Sequence, residues 1–271
     1  MTELSLAAVR EVRAGAWVMR AEEALCESLI KAGLVEALQG GASAGTGPRG
    51  RVRHGRIVLP GGTAVILRRY HHGGLFARLT RDCFLGHSRF LREFEVARAA
   101  WAAGVPTPRA IAVGWSAGTL AVRGFLATIE IGEARDLLNL FARPISEPKR
   151  HAAVRSSAFA IRSLHDAGVS HADLHLKNLL VGEGGGEPGS VAWVIDLDRA
   201  QRLEGPLPMR ARIRNLARLY RSVQKHRRGG LHIDDGDVEA FCDAYFGDDA
   251  AGRRAARGAL GLARLRARVH F

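Results

Sequence analysis

The sequence predicts an α+β protein of two lobes, in which an N-terminal antiparallel sheet lobe with one helix precedes a mostly helical C-terminal lobe. Residues 40–130 hold short apolar runs bounded by glycine and proline, a pattern typical of strands. After residue 131 the apolar residues recur at helical spacing instead. We therefore expect a first lobe over residues 1–130, with 1–40 as an N-terminal extension, and a second lobe over residues 131–271.

The first lobe is predicted to follow a lead-in over residues 1–17. Its clearest helix begins at Ser88, which can cap it, and ends at Gly104, because two prolines follow and prevent its continuation. A turn of one proline and two glycines at Pro60–Gly62 joins two strands into a hairpin. The other predicted elements are a helix over 21–38, the hairpin strands Gly55–Leu59 and Thr63–Arg69, and the strands Ala110–Gly114 and Leu120–Ile129.

The second lobe is predicted to consist mainly of helices, because leucine, isoleucine, valine and alanine recur there every three or four residues. A glycine-rich segment, Gly182–Gly189, is expected to be a turn between two strands. The predicted helices are Asp136–Phe141, Ser146–Ala167, Arg210–Lys225, Asp235–Phe246 and Gly252–Val269.

The stretch between the second and third of these helices contains the candidate catalytic and metal-binding residues. It reads S-H-A-D-L-H-L-K-N-L-L-V over Ser170–Val181, and its Asp173 and Asn178 fit the H-x-D-L-x-x-x-N catalytic loop of kinases. Asp196 ends the next apolar run, where kinases place a metal-binding aspartate. We therefore expect a protein-kinase-like fold, with Asp173 as general base and with Asn178 and Asp196 as ligands of the Mg²⁺ that accompanies ATP.

Four residues of the first lobe are predicted to bind the nucleotide. In V-I-L-R, Arg68 stands where kinases have a lysine, and Glu93 on the following helix is its expected partner. Gly47 and Gly50 lie in a glycine-rich stretch whose backbone N–H groups can approach phosphate. The alternatives are an exposed charge at a strand end for Arg68 and an ordinary surface loop for the glycines.

Charge and composition limit the partners. A net charge of +13 indicates a polyanionic partner, yet no recognised nucleic-acid-binding motif occurs. Two basic stretches, Arg68–Arg92 and Arg253–Arg268, suit an anionic membrane surface, although each is also explained as a solvated helix face. With no apolar run of about 18 residues, no evident signal peptide and three isolated cysteines, we expect a cytoplasmic protein that binds the membrane peripherally.

These segments together resemble the lipopolysaccharide kinases. The segments that carry the resemblance are L-R-R-Y-H-H-G-G-L-F, R-E-F-E-V-A-R-A-A-W-A-A-G-V-P-T-P, H-A-D-L-H-L-K-N-L-L, V-I-D-L-D-R-A and N-L-A-R-L-Y-R-S-V-Q-K. The resemblance implies ATP-dependent phosphorylation of a hydroxyl of 3-deoxy-D-manno-octulosonic acid (Kdo) on a lipid A precursor, at the cytoplasmic face of the inner membrane.

Two other classes share parts of this pattern. Aminoglycoside-type phosphotransferases have the same H-x-D-x-H-x-x-N motif, but a strongly basic protein is poorly suited to cationic drugs. A non-catalytic protein with a kinase fold would explain an arginine in the lysine position, but it would not need Asp173, Asn178 and Asp196. The oligomeric state is not predicted.

Overall fold

The computed structural model describes residues 5–39, 54–71, 82–117, 121–182 and 191–258. The described residues form two compact units. One comprises those within Leu4–Ala102 and Pro108–Ile131, and the other comprises Ala103–Thr107 with those from Gly132 onward. The short segment Ala103–Thr107 therefore belongs with the helical unit, where Val194 donates a backbone hydrogen bond to the carbonyl of Pro106.

The first unit is built on a six-stranded antiparallel sheet with the order β1-β2-β5-β6-β4-β3. Its strands are β1 (Val9–Ala14), β2 (Trp17–Glu22), β3 (His54–Val58), β4 (Ala64–Arg69), β5 (Ala110–Ser116) and β6 (Gly124–Ile129). Its helices are α1 (Cys26–Lys31), α2 (Leu34–Gln39) and α3 (Ser88–Ala102), with a 3₁₀ turn at Glu23–Leu25.

Alternation decides which side chains of this sheet are buried. On β4, Val65 and Leu67 are fully buried, whereas Ile66 and Arg68 between and after them are half-buried. The buried side chains of the sheet pack against those of α1 and α2 in one apolar core. The hairpin predicted before Tyr70 is confirmed, because β3 and β4 pair as antiparallel strands. Helix α3 is also confirmed, with Phe90 and Phe94 on its buried face.

The prediction of a lead-in up to residue 17 was wrong, and the single helix predicted over 21–38 was only partly correct. Residues 9–22 form a hairpin that adds two strands to the sheet, and the predicted single helix is divided into short pieces. In β2 every second side chain is buried, at Trp17, Met19 and Ala21, and the residues between them are more exposed. This alternation is that of a β-strand with one face on the core, and it favours the hairpin. The helix is interrupted at Gly33, whose φ of +80° lies in the left-handed region.

A buried ion cluster joins this hairpin to the rest of the unit. Glu22, only 4% exposed, accepts hydrogen bonds from both Nε and Nη2 of Arg109, and Arg98 lies beside it. Arg98 also donates to the carbonyl of Ala7. Because a buried carboxylate needs such partners, the hairpin is an integral part of the unit rather than a lead-in.

The second unit is mostly helical, as predicted. Its helices are α4 (Leu137–Leu140), α5 (Glu147–Asp166), α6 (Met209–Arg227) and α7 (Asp235–Phe246), with a 3₁₀ turn at Leu176–Asn178 and a helical stretch over 250–258. Short strands complete it: β7 (Ala134–Asp136), β8 (Val169–Ser170), β9 (Leu179–Gly182), β10 (Ala192–Val194) and β11 (Gln201–Arg202). No helix in the described ranges is long and apolar enough to cross a membrane.

Candidate active site

The predicted catalytic loop begins at a position that requires glycine. Helix α5 ends at Asp166, and Gly168 follows with a φ of +77°. A Cβ atom at this position would lie 2.4 Å from the carbonyl oxygen of Gly205 and 2.5 Å from that of Leu203. The close approach allows β8 to pair with β11, which fixes where the loop leaves the helix.

His171 connects this loop to the strand that precedes Asp196. Its Nδ1 accepts the backbone N–H of Asp173 at 3.0 Å, so this nitrogen carries no proton. Its Nε2 therefore carries the proton and donates to the carbonyl of Ile195 at 3.1 Å. The ring is buried, and burial lowers the pKa of His171, which keeps it in this neutral form.

A second buried network of hydrogen bonds fixes the first residues of the loop. The Oδ1 atom of Asn215 on α6 accepts the backbone N–H of His171 at 2.8 Å and lies 3.2 Å from Nε2 of His165. Since Oδ1 can only accept, His165 Nε2 donates, and its Nδ1 accepts from the hydroxyl of Tyr245 at 2.6 Å. The Nδ2 atom of Asn215 donates to Ser170 at 3.3 Å. Three helices thus fix the start of the loop.

These network residues were not predicted from the sequence. A signal for Asn215 was present, because asparagine has a poor propensity for a helix interior and this one occupies the buried face of α6. No comparable signal exists for His165 or Tyr245, which meet across 80 residues of sequence. Burial lowers the pKa of His165 to about 4, so its ring is neutral near pH 7.

Asp173 presents its carboxylate to solvent. Its side chain is 73% exposed, and Oδ2 lies 3.5 Å from Nε2 of His175. The backbone of the same residue is held at both ends, by His171 at its N–H and by Nδ2 of Asn178 at its carbonyl, 2.9 Å away. A carboxylate on a fixed backbone with an open face can meet a substrate hydroxyl, as a general base must.

Asn178 and Asp196, the predicted metal ligands, lie beside one another. The backbone N–H of Ile195 donates to the carbonyl of Asn178 at 3.0 Å, which continues the pairing of β9 with β10. Asp196 has a φ of 63°, a left-handed conformation that is uncommon outside glycine and frequent at functional sites.

The donor set of this pair fits Mg²⁺. The side-chain amide of Asn178 is buried, and its Nδ2 points to the loop backbone, so Oδ1 is directed away from it. No residue in the described part of the chain donates a hydrogen bond to that oxygen. One amide oxygen and one carboxylate are the hard oxygen ligands that Mg²⁺ prefers, and so few protein ligands leave positions for phosphate and water.

The ion pair predicted in the first unit is present. Arg68 donates through Nη2 to Oε1 of Glu93, whose side chain is 1% exposed while that of Arg68 is 20% exposed. The guanidinium also lies 4.9 Å from the ring centre of Tyr70. Glu95, two residues further along α3, is exposed. Glu93 is therefore the acid that fixes Arg68.

The other predicted site features lie mainly outside the described residues. Gly47 and Gly50, expected to approach the nucleotide phosphates, fall within residues 40–53. Much of the basic stretch Arg68–Arg92 and most of Arg253–Arg268 also lie outside them. Their roles remain predictions.

Two kinds of sequence comparison show which known proteins this chain is similar to. The family model described as "Lipopolysaccharide kinase (Kdo/WaaP) family" matches residues 48–245. A 3-deoxy-D-manno-octulosonic acid kinase of Xanthomonas campestris pv. campestris (strain B100) is 35% identical over 185 residues, which cover 66% of this chain and 70% of the relative. The kinase of the same name from Photobacterium damsela subsp. piscicida is 31% identical over 183 residues, covering 64% and 70%.

A solved structure gives the same result for the fold. WaaP in complex with acyl carrier protein matches with a TM-score of 0.62 and 23% identity, over 92% of this chain and 98% of that one. The likeness confirms the predicted α+β, kinase-like fold.

Proposed function

Because this chain belongs to the lipopolysaccharide kinase (Kdo/WaaP) family, we propose that it phosphorylates a hydroxyl of Kdo on a lipid A precursor. Membership makes it a kinase of lipopolysaccharide core biosynthesis, a phosphotransferase that uses ATP and acts on a sugar hydroxyl. An aminoglycoside-type phosphotransferase and a non-catalytic scaffold are not favoured. The observation that carries the proposal is the loop in which Asp173, Asn178 and Asp196 are tied together by the backbone bonds of His171 and Asn178.

Asp173 is the general base of the proposed reaction. Its exposed carboxylate takes the proton of the acceptor hydroxyl as that oxygen attacks the terminal phosphorus of ATP. His171 and Asn178 keep its backbone in place, so the carboxylate approaches the hydroxyl without a search through loop conformations. A positioned base of this kind contributes about 10²–10⁴-fold to the rate.

Asn178 and Asp196 are the residues that would hold Mg²⁺. When bound, the ion supplies positive charge that neutralises the nucleotide phosphates during transfer. The left-handed backbone of Asp196 turns this residue out of the strand, and the bond from Ile195 to Asn178 keeps the two ligands adjacent.

Arg68 is proposed to bind the nucleotide phosphates, in the manner of the lysine that other kinases have there. Glu93 and the ring of Tyr70 restrict its guanidinium to one orientation, which suits the planar, two-pronged binding of phosphate oxygens by arginine. Gly47 and Gly50 are proposed to approach the same phosphates through their backbone N–H groups.

We also propose that the protein acts at the cytoplasmic face of the inner membrane without crossing it. A lipid-linked acceptor is confined to that surface, while ATP arrives from solution. The net charge of +13 supports attraction to an anionic leaflet, to which each nearby lysine or arginine contributes about 1 kcal/mol.

The test is phosphate transfer from ATP to purified lipid A precursors with and without Kdo, followed by mass spectrometry. We expect one added phosphate on the Kdo-bearing lipid and none on the lipid that lacks Kdo. Equal modification of both lipids would place the phosphate elsewhere on the acceptor. Transfer to aminoglycosides in place of both lipids would refute the proposal.

A further inference from the structure

Helix α6 has a row of positively charged side chains and no acidic residue of its own to neutralise them. It has no aspartate or glutamate between Met209 and Arg227. Five of its basic residues recur every three or four positions and therefore lie on one face, which we call the basic face: Arg210, Arg214, Arg218, Arg221 and Lys225. Arg218 is half-buried, and the other four are exposed. Over a rise of 1.5 Å per residue the row is about 22 Å long.

Nothing in the described part of the chain neutralises the basic face. None of its five residues makes an ion pair with a described residue. In contrast, two basic residues on other sides of the same helix are paired, Arg212 with Asp166 at 2.7 Å and Arg227 with Asp235 at 2.7 Å. Like charges at this spacing repel one another, so the row costs stability unless an anionic partner binds it.

The row ends beside the predicted catalytic loop. The backbone N–H of Leu176 lies 3.5 Å from Oγ of Ser222 on α6. Lys225 and His226 follow Ser222 by three and four residues and so lie on the same side of the helix. Lys177, the residue after Leu176, is exposed at this contact. The C-terminal end of the basic face therefore lies beside the loop that contains Asp173.

The electrostatics of His226 agree with this arrangement. Burial is the largest cause that lowers the pKa of His226. The others come from three basic side chains, two of which belong to the catalytic loop: Lys225, Lys177 and His175. Basic groups of the loop and of α6 are thus close enough to repel one another.

We propose that the basic face of α6, together with Lys177, is an acceptor-binding subsite that takes the phosphate and carboxylate groups of the lipid-linked sugar. The proposal rests on the proposed function, because it assigns a role toward that acceptor. Arginine binds such oxyanions through two parallel hydrogen bonds, and several arginines in a row suit a ligand with several anionic groups. The row leads to Asp173, so it orients the anionic sugar toward the base rather than holding ATP.

Kinetics with a matched pair of variants test the subsite. One variant is Arg218→Gln/Arg221→Gln/Lys225→Gln. The control is Arg143→Gln/Lys149→Gln/Arg155→Gln, which removes the same charge from exposed residues elsewhere in the unit. At about fivefold per charge, we expect the first variant to raise the acceptor KM roughly a hundredfold, with the ATP KM within about twofold of the original. The control should leave both constants unchanged.

A binding measurement separates this proposal from the proposed function. It uses phosphatidylcholine vesicles that contain the Kdo-bearing lipid A precursor, and no ATP. Weaker binding by the α6 variant than by the control supports the subsite even if no phosphate transfer is observed. Equal behaviour of the two variants in both assays overturns it. The same vesicles are also prepared with phosphatidylglycerol in place of the acceptor. If the α6 variant loses as much binding to these vesicles as to the acceptor vesicles, the proposal is overturned, because the basic face would then recognise any anionic bilayer.

Discussion

Acidification should destabilise the protein through His165. In the folded protein this ring lies between Tyr245 and Asn215, and burial is the main reason that its pKa falls to about 4. In the unfolded chain the same imidazole has an ordinary pKa of about 6.5. Between these two values the unfolded state binds more protons than the folded state, so stability rises with pH across this window.

The magnitude follows from the shift. One pKa unit corresponds to about 1.4 kcal/mol, so the contribution of His165 amounts to roughly 3 kcal/mol. The full contribution is present above pH 6.5, and it is lost as the pH falls toward 4. A protein with a typical stability of about 5–15 kcal/mol would lose a substantial part of it.

Urea unfolding followed by circular dichroism at pH 7, 5.5 and 4.5 measures the effect. In His165→Gln the amide can still donate to Asn215 but has no proton to gain, so the variant should lose less stability between pH 7 and 4.5 than the original protein. His232→Gln removes an exposed imidazole from the same unit and serves as the control. If the original protein and His165→Gln lose stability in parallel over this range, protonation of the buried His165 ring is not the cause of the loss.

Three further predictions concern the two units. Arg68→Lys keeps the charge but loses the fork held by Glu93, so kcat/KM for ATP should fall about tenfold or more, because one charge-assisted hydrogen bond is worth about 1.5–3 kcal/mol; full activity would show that only charge matters. Asp196→Ala should abolish turnover, and raised Mg²⁺ should partly rescue Asn178→Ala; equal nucleotide affinity of the original protein in Mg²⁺ and EDTA would contradict both. Gly168→Ala should lower the unfolding free energy by about 1–3 kcal/mol in urea titrations, because of its left-handed φ and the neighbouring carbonyls; an unchanged midpoint would refute this reason.

The parts of the fold that could be predicted are those with a long local pattern. Helix α5 and helix α6 each span five turns or more, so their apolar spacing is unambiguous. The loop over Ser170–Val181 could be proposed as catalytic because its residue types and their order along the chain match the catalytic loop of kinases. Glu93 could be assigned to Arg68 because both follow that order, and the structure places them in contact.

The parts that could not be predicted depend on contacts between distant segments. The hairpin of β1 and β2 has only three alternating buried residues on its inner strand, which is too short a signal to outweigh the charged residues around it. The role of Asn215 depends on His171, 44 residues earlier, and on His165, 50 residues earlier. Sequence periodicity shows that position 215 is buried but does not show what it bonds.

We propose that Asp173 removes the proton from the acceptor hydroxyl. The most direct measurement is the single-turnover rate of phosphate transfer to the Kdo-bearing lipid A precursor by the original protein and by Asp173→Asn, with ATP binding measured alongside. Asparagine keeps the size of the side chain and the backbone bonds to His171 and Asn178 but cannot accept the proton. We expect the rate to fall by about 10²–10⁴-fold with ATP affinity nearly unchanged. A rate within a few-fold of the original would contradict the assignment.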